Sequence, residues 1–427
     1  MQQQDHRYQT YLQILREELV PAMGCTEPIA IAYGAAKAKE LLGMVPEKVI
    51  VQASANIIKN VKSVIVPNTN GLKGIEAATS IGIIAGKPEK ILEVISQVSE
   101  EEKKMTKKFM DSGCIKVEMA DTPHTFDLII TMYYKQSYIK LRITDYHTNI
   151  VYIERNGAVI YDIGGVNAQK KGLTDRGLLN VKDIIDFADS VLIEDVRDIL
   201  ARQVQYNYAI AREGIQNNYG ANIGKVLLKT YGNNVKNRAK AMAAAASDAR
   251  MSGCELPVIV NSGSGNQGIT ASIPVIEYAK ELNVTDDKLY RALVISNLIT
   301  IHQKTRIGRL SAFCGAVCAG CASGTGIAYL YGGGYQEIAH TLVNSIAIVS
   351  GIVCDGAKPS CAAKIAASVD AGILGYHMYK EGQQFLCGDG IVAKGVENTI
   401  ENMGRLGRNG MKETDKEIIR LMLDKTC

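Results

Sequence analysis

Six cysteines carry the first chemical signal in this chain. Five of its ten lie between residues 310 and 361, namely Cys314, Cys318, Cys321, Cys354 and Cys361, and a sixth, Cys25, sits near the start in the phrase GCTEP. Three of the five, Cys314, Cys354 and Cys361, suit an iron–sulfur cluster, with Cys25 facing it across an active site. Cys354 reads as the end of an apolar helix. Asp355, Gly356 and Pro359 then force a loop, and Ser360 can cap a further helix with Cys361 in its first turn. Loops and helix starts offer amides and a positive dipole end to anionic sulfur. The plain alternative for each cysteine is a small buried packing residue.

Cys314, Cys318 and Cys321 also spell C-x-x-x-C-x-x-C, the pattern of radical S-adenosylmethionine enzymes. That pattern belongs on a loop after a first barrel strand, and no strand signal surrounds it here. At i, i+4 and i+7 the three would line one helix face, so Cys318 and Cys321 read as packing thiols. Cys114, Cys254 and Cys387 read as structural. Cys427, the last residue, is a terminal thiol that a tail could bring to a fourth iron position.

The second signal is NSGSGNQG at 261–268. Ser262, Gly263, Ser264, Gly265, Asn266, Gln267 and Gly268 would present backbone N–H groups and a helix start to a substrate carboxylate or a phosphate. The alternative is a glycine-rich turn between helices. Lys304, Arg306 and Arg309 follow His302 just before Cys314 and are cations able to bind a carboxylate, against the alternative of a solvated helix face. VKNRAKA at 235–241 followed by SGSGNQG resembles the Schiff-base lysine and substrate loop of pyridoxal-phosphate lyases. That fold, however, needs alternating strands and helices around both motifs, and this region is helical. His147 reads as a hydrogen-bonded strand histidine.

These groups need elements to hold them. Tyr8, Leu12, Leu15 and Leu19 give helical spacing over 6–20, ended by Pro21. Thr26 is the expected N-cap of the next helix, Glu27 suits its first turn and Pro28 is tolerated there. Cys25, just before that helix, should have a lowered pKa. KVIVQASANIIKNVKSVIVPN reads as two strands or a long bent one, GIEAATSIGIIAG as a helix, and ILEVISQVSEEEKKMTKKFMDSG as an amphipathic helix. A β meander follows, with turns at Asp121–Pro123, Lys135–Gln136 and Asn156–Gly157. From about 180 the signals are helical. The expected fold is α+β: an N-terminal helical segment (1–45) carrying Cys25 and packed on the catalytic domain, a smaller α+β domain with an antiparallel sheet (46–179), and a large all-α domain (180–427).

A hydrophobic content of 47%, 22% charged residues and a net charge of +4 are those of an ordinary globular chain and give no reason to expect nucleic acid or a membrane surface as partner. The N-terminus MQQQDHRYQT has no apolar core of a signal peptide, and ten cysteines then point to the reducing cytoplasm. Residues 310–336 carry no charge, but their Gly, Ala, Ser, Thr and Cys content suits a packed interior better than lipid.

GCTEP, NSGSGNQG and the set Cys314, Cys354 and Cys361, taken together and in this order, resemble the iron–sulfur L-cysteine desulfidases, proteins of the UPF0597 type similar to the serine dehydratase alpha chain. The resemblance spans essentially the whole chain. It implies a 4Fe–4S cluster held by Cys314, Cys354 and Cys361, with Cys25 as acid/base or replaceable fourth ligand, and no pyridoxal phosphate. The expected reaction is β-elimination of L-cysteine to pyruvate, ammonia and sulfide, with a small amino acid as substrate and a homodimer as one form of assembly. L-Serine dehydration at the same site, a pyridoxal-phosphate lyase and a non-catalytic cluster-binding sensor are the alternatives.

Overall fold

KVIVQA forms one extended strand, and the Val/Ile-rich run after it does not continue as a strand. The computed structural model describes residues 1–163, 173–308 and 310–423. Its first part runs α1 (His6–Glu18), β1 (Pro21–Met23), α2 (Thr26–Leu42), β2 (Lys48–Ala53), α3 (Ala55–Val61), α4 (Gly74–Ala85), α5 (Glu100–Asp111) and β3 (Ile115–Met119). The hairpin strands follow: β4 (Asp127–Tyr134), β5 (Ser137–Thr144), β6 (Ile150–Arg155) and β7 (Ala158–Asp162). The helical part comprises α6 (Val181–Ser190), α7 (Ile193–Gln216), α8 (Ile223–Tyr231) and α9 (Val235–Met251), a strand β8 (Pro257–Ile259), then α10 (Gly265–Glu281), α11 (Asp286–Ile307) and α12 (Gly315–Leu330). It ends with α13 (Tyr335–Val349), α14 (Ser360–Lys380), α15 (Val396–Arg405) and α16 (Lys412–Leu423).

The fold is α+β. Six strands form a sheet in the order β3-β2-β4-β5-β6-β7. It is antiparallel except where β2 and β3 run parallel, Val49 opposite Ile115. Lys135 turns β4 into β5 and Asn156–Gly157 turns β6 into β7, all three at positive φ, as tight hairpins require. Among the described residues the helical part contains one strand: β8 pairs antiparallel with β1, Pro21 opposite Ile259. The helix expected over 91–113 splits into a 3₁₀ turn and α5, because Ser99 and Glu102 form a capping box that starts a new helix.

Three differences from the sequence expectation shape the site. Ser54 leaves the strand, and Ile57, Ile58 and Val61 fall at helical spacing, so 55–61 is the helix α3. It delivers Asn56, Lys59 and Asn60 on its inner side, each under 10% exposed. The second difference is that α13 stops at Val349, so Cys354 does not end a helix. Ile352 and Val353 are β-branched and run extended, with Phe313 and Val353 forming an isolated bridge. The third concerns the N-terminal segment, whose two helices part. In α1, Tyr8 and Tyr11 stack edge-on against Phe187 of α6, at 5.2 and 5.6 Å, while Gly34 of α2 lies against Ile130 and Ile143 of the sheet.

No helix among the described residues is long and apolar enough to cross a membrane. Residues 315–330 form α12, whose small side chains let α10, α11 and α14 pack closely around it.

Candidate active site

A short backbone ladder brings together two cysteines 40 residues apart in sequence. The Cys314 N–H donates to the Ile352 carbonyl at 3.0 Å, and the Cys354 N–H donates to the Ala312 carbonyl at 2.6 Å. Cys314 is the N-cap residue of α12. Cys361 stands in the first turn of α14, after Pro359 at its N-cap position, and its thiol points to the Gly356 carbonyl at 3.6 Å. All three thiols line one cavity, together with Cys25, Glu27, Asn56, Lys59, Asn60, Arg250, Ser264, Asn266, Gln267 and Lys304. Cys25 packs with Val64 and Met251, and Ala357 and Cys361 lie against that group.

The electrostatics of the cysteines are those of buried thiols with neighbours. Burial pushes Cys314 up, and Cys354 and Cys361 push it further. Burial also raises Cys361, again with Cys354 adding to it. Lys358 counters this at Cys361, and Lys364 at both Cys314 and Cys361. Lys364 donates to the Val353 carbonyl at 2.8 Å and to Asp355, and its charge favours the thiolates of Cys314 and Cys361. Lys59 is paired with Asp415 of α16 at 2.5 Å and donates to the Cys354 carbonyl at 3.4 Å. Cys318 and Cys321 are fully buried in α12, and burial pushes Cys318 up to about 12, as expected of packing thiols.

The donor set fits an iron–sulfur cluster by its chemistry. Three soft sulfur donors reach one cavity from a helix cap, an extended strand and a helix first turn. Among the described residues no three His, Cys, Asp or Glu side chains converge tightly enough around a single ion. A cubane gives each cysteine its own iron and so spaces its ligands more widely. Binding would displace the thiol protons that burial now retains.

Cys25 departs from expectation. It is itself the N-cap residue of α2, and Thr26 is the first helical residue. Its pKa is raised, not lowered: burial is the main cause and the Glu27 carboxylate adds to it, against a smaller opposing effect of Arg250. A helix start lowers a thiol's pKa only while water or cations can offset desolvation, and here a carboxylate lies at hydrogen-bond distance. Cys25 Sγ donates to Glu27 Oε2 at 3.1 Å. Glu27 also accepts from Thr26 Oγ1 at 3.3 Å and from Asn60 Nδ2 at 3.0 Å, and His147 Nε2 stands 3.9 Å from Oε1. Burial alone would raise the Glu27 pKa; His147 and the hydrogen bonds outweigh it and hold the carboxyl at about 2.

The glycine-rich loop divides into parts. Ser264, Asn266 and Gln267 form the cavity wall. Ser262 turns its hydroxyl to Asn261 Oδ1 at 2.9 Å, and the Gly263 carbonyl accepts from Thr26 Oγ1 at 2.9 Å, which ties the loop to the Cys25 helix. Gly265 already opens α10, and Gly268 packs on the Ile259 carbonyl, where a Cβ would come within 2.0 Å. Lys304 is buried in the cavity wall. Arg306 is not in that wall; its guanidinium lies 3.7 Å from Glu401 near the surface. Arg309 and Cys427 lie outside the described residues. Lys236 and Lys240 sit on α9 and both pair with Asp370, about 15 Å or more along the helix from Arg250, which touches the loop. A Schiff-base lysine beside SGSGNQG is therefore not what α9 provides.

Glu27, Asn56, Asn60, Arg250 and His147 were not singled out by sequence as site residues. The signal for Glu27 was its place two residues after Cys25. For Arg250, at the end of an alanine-rich helix, and for His147, in the turn after β5, there was none.

The fold and cavity define an α+β protein with four thiols and a buried carboxylate around one polar pocket. The chain belongs to the family described as the serine dehydratase alpha chain, which it matches over residues 89–420. Its relatives include a UPF0597 protein of Desulfitobacterium hafniense, 70% identical with 100% of this chain and 99% of that one covered. Others are a UPF0597 protein of Lachnoclostridium phytofermentans, 51% identical over 98% and 100%, and one of Treponema denticola, 46% identical over 98% of each chain.

Proposed function

We propose that this protein is an iron–sulfur-dependent lyase that eliminates sulfide from L-cysteine, leaving pyruvate and ammonia. The observation that carries the reading is the meeting of Cys314, Cys354, Cys361 and Cys25 in one cavity beside the 264–267 stretch. A 4Fe–4S cluster held by Cys314, Cys354 and Cys361 would supply a Lewis-acidic iron for the departing sulfur.

The chain's own groups account for the rest. The start of α10 orients the substrate through its carboxylate. The α-proton goes to Cys25 Sγ in the same step in which the thiol's own proton passes to Glu27 Oε2, which already accepts the S–H bond, so a free thiolate, disfavoured here by burial and by Glu27, does not have to form. As the Cα–H bond breaks, its electron pair forms Cα=Cβ and the Cβ–S pair leaves with sulfur. The aminoacrylate released tautomerises and is hydrolysed to pyruvate and ammonia. Apolar neighbours, Val64, Met251 and Ala357, limit water near Cys25.

The family match favours one second reading, L-serine as substrate, with water leaving from the same site. Hydroxide is the poorer leaving group and iron–sulfur chemistry prefers thiolate, which favours cysteine. Anaerobic purification with iron and sulfide quantified, followed by incubation with L-cysteine and L-serine and assays of sulfide and pyruvate, tests the proposal. Sulfide and pyruvate from L-cysteine support it, pyruvate from L-serine alone assigns the dehydratase, and neither product leaves a cluster-binding sensor.

A further inference from the structure

Buried polar atoms are almost always paired, so a concentration of unpaired ones marks a place where a polar partner belongs. Among the described residues, twelve buried side-chain atoms lack a hydrogen-bond partner, and four of them belong to residues of the one cavity: Asn56 Oδ1, Asn60 Oδ1, Arg250 Nε and Gln267 Oε1. Their side chains are held from behind. Asn60 Nδ2 is committed to Glu27 Oε1, which leaves Oδ1 as its spare acceptor. Arg250 Nη1 donates to Asn266 Oδ1 at 3.0 Å, and the guanidinium lies so close to Gly265 that a Cβ there would sit 2.3 Å from Nε.

The charges divide the same way. Arg250 is only 2% exposed, yet no carboxylate pairs with it among the described residues. It stands with Asn266 at the start of α10. Glu27 is buried at the start of α2, with Asn60 of α3 hydrogen-bonded to it and Asn56 of the same helix also lining the cavity, each with an unpaired amide oxygen. Among the described residues the lining thus offers a cation without a carboxylate partner at the start of α10, and an anion with spare amide oxygens at α2 and α3, where the charge of Lys59 is already taken up by Asp415. A simple anion would satisfy only the first, and an amine only the second.

Building on the amino-acid lyase reading, we propose that Arg250 and the α10 start take the α-carboxylate of the substrate, while Asn56 and Asn60 beside Glu27 take its α-ammonium. The cavity then selects zwitterionic α-amino acids over hydroxy acids and amines of the same size, before any chemistry at the β-carbon. Losing one charge-assisted hydrogen bond and stranding its buried partner weakens binding by about tenfold or more.

The test is calorimetric binding to the anaerobically purified protein with three probes that have no β-leaving group. L-Alanine has both charged groups, L-lactate lacks the ammonium and L-alaninol lacks the carboxylate. L-Alanine should bind at least about tenfold tighter than either of the others. Arg250→Gln should weaken L-alanine and leave L-alaninol unchanged, and Asn60→Ser should weaken L-alanine and leave L-lactate unchanged. L-Lactate or L-alaninol binding as tightly as L-alanine overturns the proposal, and so does an L-alanine affinity indifferent to Arg250→Gln. Where a variant does not fold, the probe series on the unaltered protein decides alone. L-Alanine preference in a protein that consumes neither L-cysteine nor L-serine removes the lyase reading and keeps this one, and turnover without the preference does the reverse.

Discussion

Cys25 Sγ donates its hydrogen bond to Glu27 Oε2, two residues further along the same helix start, at 3.1 Å. The carboxylate keeps the thiol protonated, and the thiol in turn helps keep the carboxylate ionised. Glu27→Gln removes the negative charge that adds to burial in raising the thiol, so the Cys25 pKa should fall. Alkylation of Cys25 by iodoacetamide, followed by mass spectrometry across pH, should then begin at lower pH than in the unaltered protein. Turnover should drop about a hundredfold or more, the usual contribution of a positioned acid–base group. An unchanged alkylation profile would mean that Glu27 has no electrical hold on the thiol.

The cysteines separate into two roles that colour can distinguish. Cys25→Ala should leave a brown protein with its iron content intact and no turnover. Cys354→Ala should lose both colour and iron, because it removes a thiol from the set formed with Cys314 and Cys361. Visible absorption and iron assay on the two variants, prepared side by side without oxygen, check this. Loss of iron in Cys25→Ala would move Cys25 from proton transfer to ligation.

Two cations two positions apart in sequence, Lys304 and Arg306, should behave differently. Lys304 is in the cavity wall, whereas Arg306 faces Glu401 and lies outside it. Lys304→Ala should raise the KM for the amino acid substantially, and Arg306→Ala should leave KM and kcat within about twofold, as for an exposed ion pair. Steady-state kinetics on both variants decides.

The sequence revealed thiol types and spacings well, because cysteine pairs with loop-forming Asp355, Gly356 and Pro359 leave few readings. The α+β class was also legible from the change of period near residue 180. What was hidden depended on tertiary partners. The run NIIKNVKSVIV has strand composition, yet residues 55–61 coil into α3 because that buries Ile57 and Val61 while turning Asn56 and Asn60 inward. The apolar run before Cys354 looked like continuous helix, but pairing of Val353 with Phe313 draws its end into an extended ladder. Desolvation of Cys25 could not be read from a helix start alone, since it depends on Val64, Met251 and Ala357, all remote in sequence.

Close approach at Gly315 gives a packing prediction. A Cβ there would lie 2.6 Å from Gln267 Cδ, one residue after Cys314. Gly315→Ala must displace the Gln267 amide or the start of α12. It should cost about 1–3 kcal/mol, as overpacking of a filled interior does. The measurement is a lower Tm together with weaker retention of iron, since the displaced helix start carries Cys314. A variant that melts at the original temperature would show that Gln267 swings aside freely.

The last prediction concerns acid stability away from the cavity. Glu397 at the start of α15 accepts from the Val181 N–H at 2.7 Å and lies 2.7 Å from His302 Nε2 on α11, so it joins three helices. Burial pushes its carboxyl up, but His302 and that N–H outweigh burial and hold it below its ordinary value of 4.5. A carboxyl with a depressed folded-state pKa contributes stability that is fully present above its unfolded value and is lost as pH falls through the folded one. The Tm should therefore decline as the pH drops below about 4.5, and Glu397→Gln should be less stable than the unaltered protein at neutral pH, with the difference shrinking in acid. Melting curves from pH 7 down to pH 3 on both proteins measure it; a difference that stays constant across that range would assign the role of Glu397 to packing and not to charge.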